Sequence, residues 1–306
     1  MLRPVVVGVD ASPESLAAVE WAATEALRRD RPLRLVHACN WSPHPPSDVP
    51  TGVTAAGAAQ TARARTVLDV AMARVDTDRP AIRASADLLE GPASVALLRV
   101  GGQGELLVLG SRGLGAVSGV VVGSVAQTVA AAAPVPVVLV RAHAGEAGPG
   151  SGLDRDGEEP KDAPIADVVL GLDLADPCDE VIEFAFTAAE LRGARLHVVS
   201  AWRSPAFYLP GPGELALARG PQREEEWRGF QEAVLQSWRG KFPDVPVLGT
   251  LAAGRAATPL LSATEQACLV VVGRRTPEGR AGQHNGPVTH AVVHHARCPV
   301  AIVPHP

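Results

Sequence analysis

The chain repeats itself. Pro4 to Asp10 (PVVVGVD) returns as Asp167 to Asp173 (DVVLGLD), Leu106 to Gly110 (LLVLG) as Leu269 to Gly273 (LVVVG), and Pro136 to Val140 (PVVLV) as Pro299 to Val303 (PVAIV). Asp10 and Asp173, Gly110 and Gly273, Gly123 and Gly286, and Pro136 and Pro299 all stand 163 residues apart. One offset shared by apolar runs and glycines constrains the chain to a single supersecondary plan built twice. The length of 306 residues agrees, since a domain takes roughly 150. The boundaries read as domain one at 1–141, a linker at 142–164 and domain two at 165–306. The linker is rich in glycine, proline and acids. Ala142 to Pro164 holds six acids and two bases, net −4 of the chain's −5, so the rest of the molecule is close to neutral.

Each copy alternates strand and helix signals. In copy one, Val5 to Val9 is a short β-branched run of the kind a buried parallel strand requires. Ser12-Pro13 supplies a helix cap and a proline at the first helical position, and an alanine-rich helix is expected to about Arg29. Leu33 to Ala38 reads as a strand, Asn40 to Val53 as a loop, and Ala55 to Val75 as a helix. Ser85 to Leu89 reads as a strand, Ala93 to Val100 as a helix and Glu105 to Leu109 as a strand. A helix from Ser124 to Ala133 and a last strand at Val137 to Val140 complete the copy. The fold class is therefore α/β: two tandem five-stranded, parallel, doubly wound domains of Rossmann or flavodoxin type, with helices on both faces.

Composition closes off several classes. Four cysteines in so long a chain form no disulfide framework and fit a reducing compartment. A net charge of −5 argues against a nucleic-acid binder. Met1 to Val9 is too short an apolar run for a secretory signal, so a cytoplasmic location is expected. Leu114 to Val140 lacks charge and is long enough for a membrane span, but Gly119, Gly123, Pro134 and Pro136 break it. Its counterpart in copy two carries His284, His290, His294, His295 and Arg297, so no membrane is expected.

Open parallel sheets bind ligands beyond the carboxyl ends of their strands, where strand order reverses. Asp10 follows the first strand there, and Gly110 follows the fourth and opens GSRGLGAVSGVVVGSVA, Gly110 to Ala126. Glycines let the main chain approach a phosphate, and successive N–H groups form an anion nest. The helix that follows adds its free N–H groups and dipole. Ser124 adds a hydroxyl, Arg112 a positive charge, and Asp10 a partner for a ribose hydroxyl or, through water, for Mg2+. The run is neither a Walker A loop, since no lysine follows, nor the dinucleotide fingerprint, since it follows a late strand.

These residues resemble the universal stress protein family. Its ATP-binding members carry G-x2-G-x9-G-[S/T] after the fourth strand, and Gly110, Gly113, Gly123 and Ser124 match it in full. The family's D-x-S matches Asp10-Ala11-Ser12, its adenine-contacting segment matches Val36-His37-Ala38, and its closing P-V-x-h-V strand matches Pro136 to Val140. The resemblance implies ATP with Mg2+ in copy one. Asp10, Ala11 and Ser12 would lie near ribose and phosphates, with Asp10 on the metal, and Ala38 at the adenine edge. Leu109, Gly110, Gly113, Gly123, Ser124 and Val125 would cradle ribose and phosphates. It also implies pairing of the two copies through their last strands as an intramolecular pseudo-dimer, a possible homodimer, and an unidentified protein partner.

Copy two departs from the pattern. Thr276 stands for the second glycine and Pro287 for the serine, and Asp176 adds a carboxylate. Each change weakens anion binding, and copy two is expected not to hold ATP. Arg274 and Arg275 read as surface arginines. His290, His294 and Cys298 fall at i, i+4 and i+8, a metal-like spacing. Cys298 precedes Pro299 at a predicted helix end, so no metal site is expected. His37 reads as a satisfied histidine of core or site, and Gln222 to Trp238 as an amphipathic helix that packs on the core. No nucleophile–base pair is legible. The reading is an ATP-binding regulatory protein of the stress response. The alternatives are a nucleotide-free interaction module and a slow ATPase or phosphotransferase.

Overall fold

The computed structural model describes residues 2–39, 51–112, 122–142, 166–202, 213–276 and 285–306, with the side chains of 51–56 and 213–222 left aside. Gly113 and the linker therefore lie outside the described residues, apart from Ala142 at the linker's start. The chain divides into two compact units.

The first unit runs β1 (Val5–Gly8), α1 (Pro13–Arg28), β2 (Leu33–Cys39), α2 (Thr51–Asp78), β3 (Ala84–Glu90), α3 (Ala93–Gly101), β4 (Leu106–Gly110), α4 (Ser124–Ala132) and β5 (Val137–Val140). All its strand pairs are parallel, in the order β3-β2-β1-β4-β5. The chain first winds outward from β1 to β3, then crosses back to β4 and winds the other way. Strand order thus reverses between β1 and β4. Right-handed crossovers place α1 and α2 on one face and α3 and α4 on the other, and each of those pairs is in contact.

The elements follow from their residues. Val5, Val6 and Val7 in β1 and Leu106, Leu107 and Val108 in β4 have no exposed surface, as a strand covered on both faces demands. In α1 the buried stripe includes Ala18, Ala22 and Ala26, small side chains that let the helix lie close on the sheet. Ser12 caps α1 by accepting from the Ser15 N–H at 3.1 Å, and Pro13 opens it with a pre-set φ. Helix α2 starts at Thr51, so the end of the segment expected to be loop is helical.

The second unit repeats the plan with β6 (Asp167–Gly171), α5 (Asp179–Glu190), β7 (Leu196–Trp202), α6 (Gly213–Lys241), β8 (Val247–Ala253), α7 (Ala257–Ala263), β9 (Ala267–Arg275), α8 (Pro287–His295) and β10 (Val300–His305). Its order is β8-β7-β6-β9-β10, again parallel. Two differences matter. Helix α5 begins at Asp179, whereas the counterpart of Pro13 is Asp176, so one turn is missing at its start. Strand β9 runs through Arg275 and pairs to the end of β10, Pro304 with Arg274 and His305 with Arg275. The corresponding β4 stops at Gly110. The expected amphipathic helix lies within α6. Its Leu235 is fully buried, and Trp238 and Phe242 stack with Phe186 of α5 at ring separations of 6.1 and 5.4 Å.

Among the described residues no helix is long and apolar enough to cross a membrane.

Candidate functional site

The reversal between β1 and β4 opens a cleft of about 410 Å³ in the first unit. That is within the range of small-molecule sites. Three structures meet there: the turn after β1, the end of β4, and the first turn of α4.

The turn after β1 is built by its own side chains. The Asp10 Oδ1 accepts from the Ser12 N–H at 3.0 Å and from the Ser12 hydroxyl at 2.5 Å. Ser15 Oγ accepts from the Asp10 N–H at 3.3 Å and donates to the Ser12 carbonyl at 2.9 Å. Ala11 between them takes φ 65°, the left-handed region that disfavours a side chain. The turn therefore holds local strain at Ala11 while Ser12 fixes the Asp10 carboxylate beside the cleft. Next to it, His37 Nδ1 contacts the Val9 carbonyl at 2.6 Å, a satisfied histidine linking β2 to the end of β1.

At the end of β4 the glycine has a packing reason. A Cβ on Gly110 would lie 2.8 Å from the Glu14 carbonyl carbon and 2.9 Å from the Ser15 nitrogen. The first turn of α1 thus presses on β4, and only glycine fits between them. The segment that leaves Gly110 comes back to the same place. Ser111 N–H donates to the Val140 carbonyl at 2.7 Å, and Gly123 N–H donates to the Ser111 carbonyl at 2.9 Å.

The two helix starts at the cleft differ. Helix α1 is capped by Ser12, whereas α4 begins after Gly123, which offers no side-chain cap among the described residues. Gly123, Ser124, Val125 and Ala126 of that start line the cleft. An uncapped helix N-terminus presents N–H donors and a positive dipole end to whatever fills the space. Val36, Ala38 and Leu97 give the cleft an apolar flank, and Asp10 and Arg112 are the charged groups among its lining residues.

Of the residues expected from sequence, Asp10, Ala38, Leu109, Gly110, Gly123, Ser124 and Val125 come together on the cleft lining. Ala11 stays in the turn behind it. Ser12 is buried at 1% exposure, and its hydroxyl is committed to the cap. Gly113 falls outside the described residues. Ser15 also lines the cleft, which the sequence reading missed. The signal for it was its place three residues after a cap serine, within the first turn of α1.

The second unit keeps one bond of this turn, with Asp173 Oδ1 accepting from the Ala175 N–H at 3.0 Å, and lacks the rest of the arrangement. Ala175 stands where Ser12 caps α1, and no residue of the turn Asp173 to Asp176 takes positive φ. Cys178 stands where Ser15 closes the turn. Its thiol donates to Glu180 Oε2 at 2.8 Å, and burial together with that bond holds it above the usual thiol range. Pro287 opens α8 and removes one N–H. Thr289 ties that helix to β9 through a 2.9 Å bond from its hydroxyl to the Gly273 carbonyl. Thr276 N–H donates to the His305 carbonyl at 2.7 Å, so the backbone beyond Gly273 is committed to the ladder with β10.

The expectation for the arginines is half corrected. Arg275 is exposed and pairs with Asp176 at 2.5 Å, but Arg274 is buried at 3% exposure, and that burial lowers its pKa. The position is buried in both units, since its counterpart Ser111 is also 3% exposed, whereas Arg275, like Arg112, lies outside the core. Helix α8 ends at His295, so Cys298 does not continue the face of His290 and His294. Among the described residues no group of three or more metal-ligating side chains is gathered.

A family model described as the universal stress protein family matches residues 1–141 and 165–304. The universal stress protein Rv2005c of Mycobacterium tuberculosis is 32% identical over 304 residues, covering 97% of this chain and 96% of that protein. A universal stress protein of Archaeoglobus fulgidus has a similar structure over 98% of both chains, with a TM-score of 0.65 at 16% identity. Another from the same organism, solved in complex with dAMP, aligns with 45% of this chain and 97% of its own, with a TM-score of 0.35. With the repeat, the sheet order and the family match in agreement, the chain belongs to the universal stress protein family and carries its domain twice.

Proposed function

We propose that the first unit binds an adenine nucleotide, ATP with Mg2+, and that the protein is a regulator of the stress response that reads nucleotide occupancy. The observation that carries this reading is the uncapped start of α4 on a cleft that also holds the Asp10 carboxylate. Phosphates suit the N–H groups of Gly123, Ser124 and Val125, helped by the Ser124 hydroxyl. The ribose suits Asp10, and the base suits the apolar flank at Val36 and Ala38. The donor set also fits the metal. Mg2+ with a nucleotide is usually held by one or two carboxylates, the phosphates and water, and Asp10 supplies one carboxylate. Gly113 belongs to this site in the reading taken from sequence.

Turnover is not part of the proposal. Efficient phosphoryl transfer needs a positioned base or a cation on the terminal phosphate. The charged groups on the described lining are Asp10 and Arg112, and the Asp10 Oδ1 is tied to Ser12. The second unit supports a different role, a nucleotide-free surface for a protein partner, through Pro287, Thr289 and the long β9–β10 ladder. A cytoplasmic location belongs to the same reading.

The test is a calorimetric titration of stripped, refolded protein with Mg–ATP. One site per chain is expected. Two sites would overturn the asymmetry between the units, and no heat from folded protein would overturn the nucleotide reading. Ser124→Pro copies the second unit at a position where proline suits the helix. It is expected to weaken ATP binding about tenfold or more, for the loss of one hydroxyl and one N–H.

A further inference from the structure

Arg112 stands two residues past the end of β4 and is the cation on the described lining of the cleft. Its guanidinium is already engaged, with Nη2 lying 3.0 Å from Glu14 Oε1. Glu14 occupies the first turn of α1, where a carboxylate is favoured by the helix dipole. It is also held there by packing, because its backbone is the part of α1 that presses on Gly110. The Glu14 side chain is 13% exposed and that of Arg112 32%, so the pair is partly shielded from water. The second unit makes the corresponding pair. Arg275, the counterpart of Arg112, is bound by Asp176 from the turn after β6. In both units an acid from the start of the first helix or its turn holds this arginine.

We propose that Glu14 is a specificity-determining residue of the cleft, which sets its affinity for phosphate by competing with the ligand for Arg112. The proposal rests on the nucleotide reading above. Among the described residues, the charged groups at the cleft and its flank are Asp10, Glu14 and Arg112, so Glu14 offsets the positive charge that Arg112 brings. Glu14 holds one Nη of Arg112 and offsets its charge, so a phosphate that takes the guanidinium competes with the carboxylate for it. A ligand without phosphate has no claim on the arginine and is indifferent to Glu14. The competition therefore weakens binding in proportion to what the phosphates ask of Arg112, and leaves recognition of base and sugar unchanged.

The experiment is a set of titrations with Mg–ATP and with adenosine on four proteins: wild type, Glu14→Gln, Arg112→Gln and the double variant. Glu14→Gln is expected to tighten ATP about three- to tenfold and to leave adenosine unchanged, as release of one partly shielded ion-pair partner predicts. Arg112→Gln is expected to weaken ATP, and by a larger factor in the Glu14→Gln background than in wild type. In the double-variant cycle the Glu14→Gln gain disappears once Arg112 is gone. Glu14→Ala, which retains the Cβ against Gly110, repeats the test without the amide as a residual hydrogen-bond partner.

If Glu14→Gln leaves ATP affinity unchanged while wild type binds ATP, the proposal is overturned and the nucleotide reading stands. A gain that persists without Arg112 also overturns it, by showing plain repulsion. If folded wild type and both Glu14 variants all fail to bind ATP, both readings fall. If wild type fails and Glu14→Gln binds, the competition is supported, and the nucleotide reading of the native chain is the one that falls.

Discussion

Single residues at the cleft do structural and chemical work together, and the two are separable. Ser12 caps α1 and fixes the Asp10 carboxylate through the same hydroxyl. Ser12→Ala is expected to lower unfolding free energy by about 1 kcal/mol, the usual loss for a cap, read from urea denaturation. Gly110→Ala is expected to cost about 1–3 kcal/mol, because the new methyl meets the backbone of Glu14 and Ser15, which cannot rotate away. An unchanged denaturation midpoint would show that α1 does not press on β4. Much at this scale was legible in the sequence. Asp10, Ser12, Gly110, Gly123 and Ser124 lie in motifs whose spacing survives without coordinates. The Glu14–Arg112 pair was not legible, because it depends on lateral packing between α1 and the end of β4, nearly a hundred residues apart, whereas the signal for Ser15 is local, its spacing from the cap serine. The burial of Arg274 was hidden for a similar reason. Its position is buried in both units, as Ser111 shows in the first, but an arginine there reads from sequence as a surface residue.

At the scale of elements, the same position can be stabilised by different chemistry in the two units. Arg34 in β2 pairs with Asp87 in β3 at 2.6 Å. The counterpart of Arg34 is His197 in β7, and its Nε2 lies 2.8 Å from Thr250 Oγ1 in β8. Burial holds the His197 imidazole below its ordinary value of 6.5, with Arg195 acting in the same direction and Asp167 opposing. The unfolded chain therefore binds the proton more readily than the folded one. The neutral imidazole contributes its stability in full above about pH 6.5, and that contribution is lost as pH falls through the lower folded value. His197→Gln is expected to flatten the pH dependence of the urea midpoint between pH 5 and 7, while the wild-type midpoint rises over the same window. An equal slope in both proteins would remove His197 from the account. The strands themselves were the most readable elements, since β1, β4, β6 and β9 are nearly continuous aliphatic runs. Their ends were the least readable, as β9 and α2 show.

At the scale of the whole molecule, one sequence plan yields two units whose strand ends are built differently. Hydrogen exchange gives the direct comparison. Mg–ATP is expected to slow amide exchange in residues 8–15, 109–112 and 123–126. The corresponding stretches 171–178, 272–275 and 286–289 are expected to exchange at the same rate with and without it. Protection in both sets would show that Thr276 and Pro287 are tolerated at a binding site. The repeat made this comparison visible in advance, because each substitution in the second copy has its partner at a fixed offset in the first. What the alignment of copies did not reveal is that the losses are coupled through the backbone. The missing first turn of α5, the ladder that commits Thr276 to His305, and the proline at the start of α8 occupy the three sides on which the first unit builds its cleft.

The shortened α5 thus sets how far the second unit stands from the first. A serine at 175 alone would add a cap hydroxyl to a turn that keeps the Asp173–Ala175 bond but has a thiol where Ser15 closes its counterpart. A serine at 287 alone would add a hydroxyl beside a strand that runs past it. Converting one unit into the other therefore takes changes at the turn, the strand end and the helix start together.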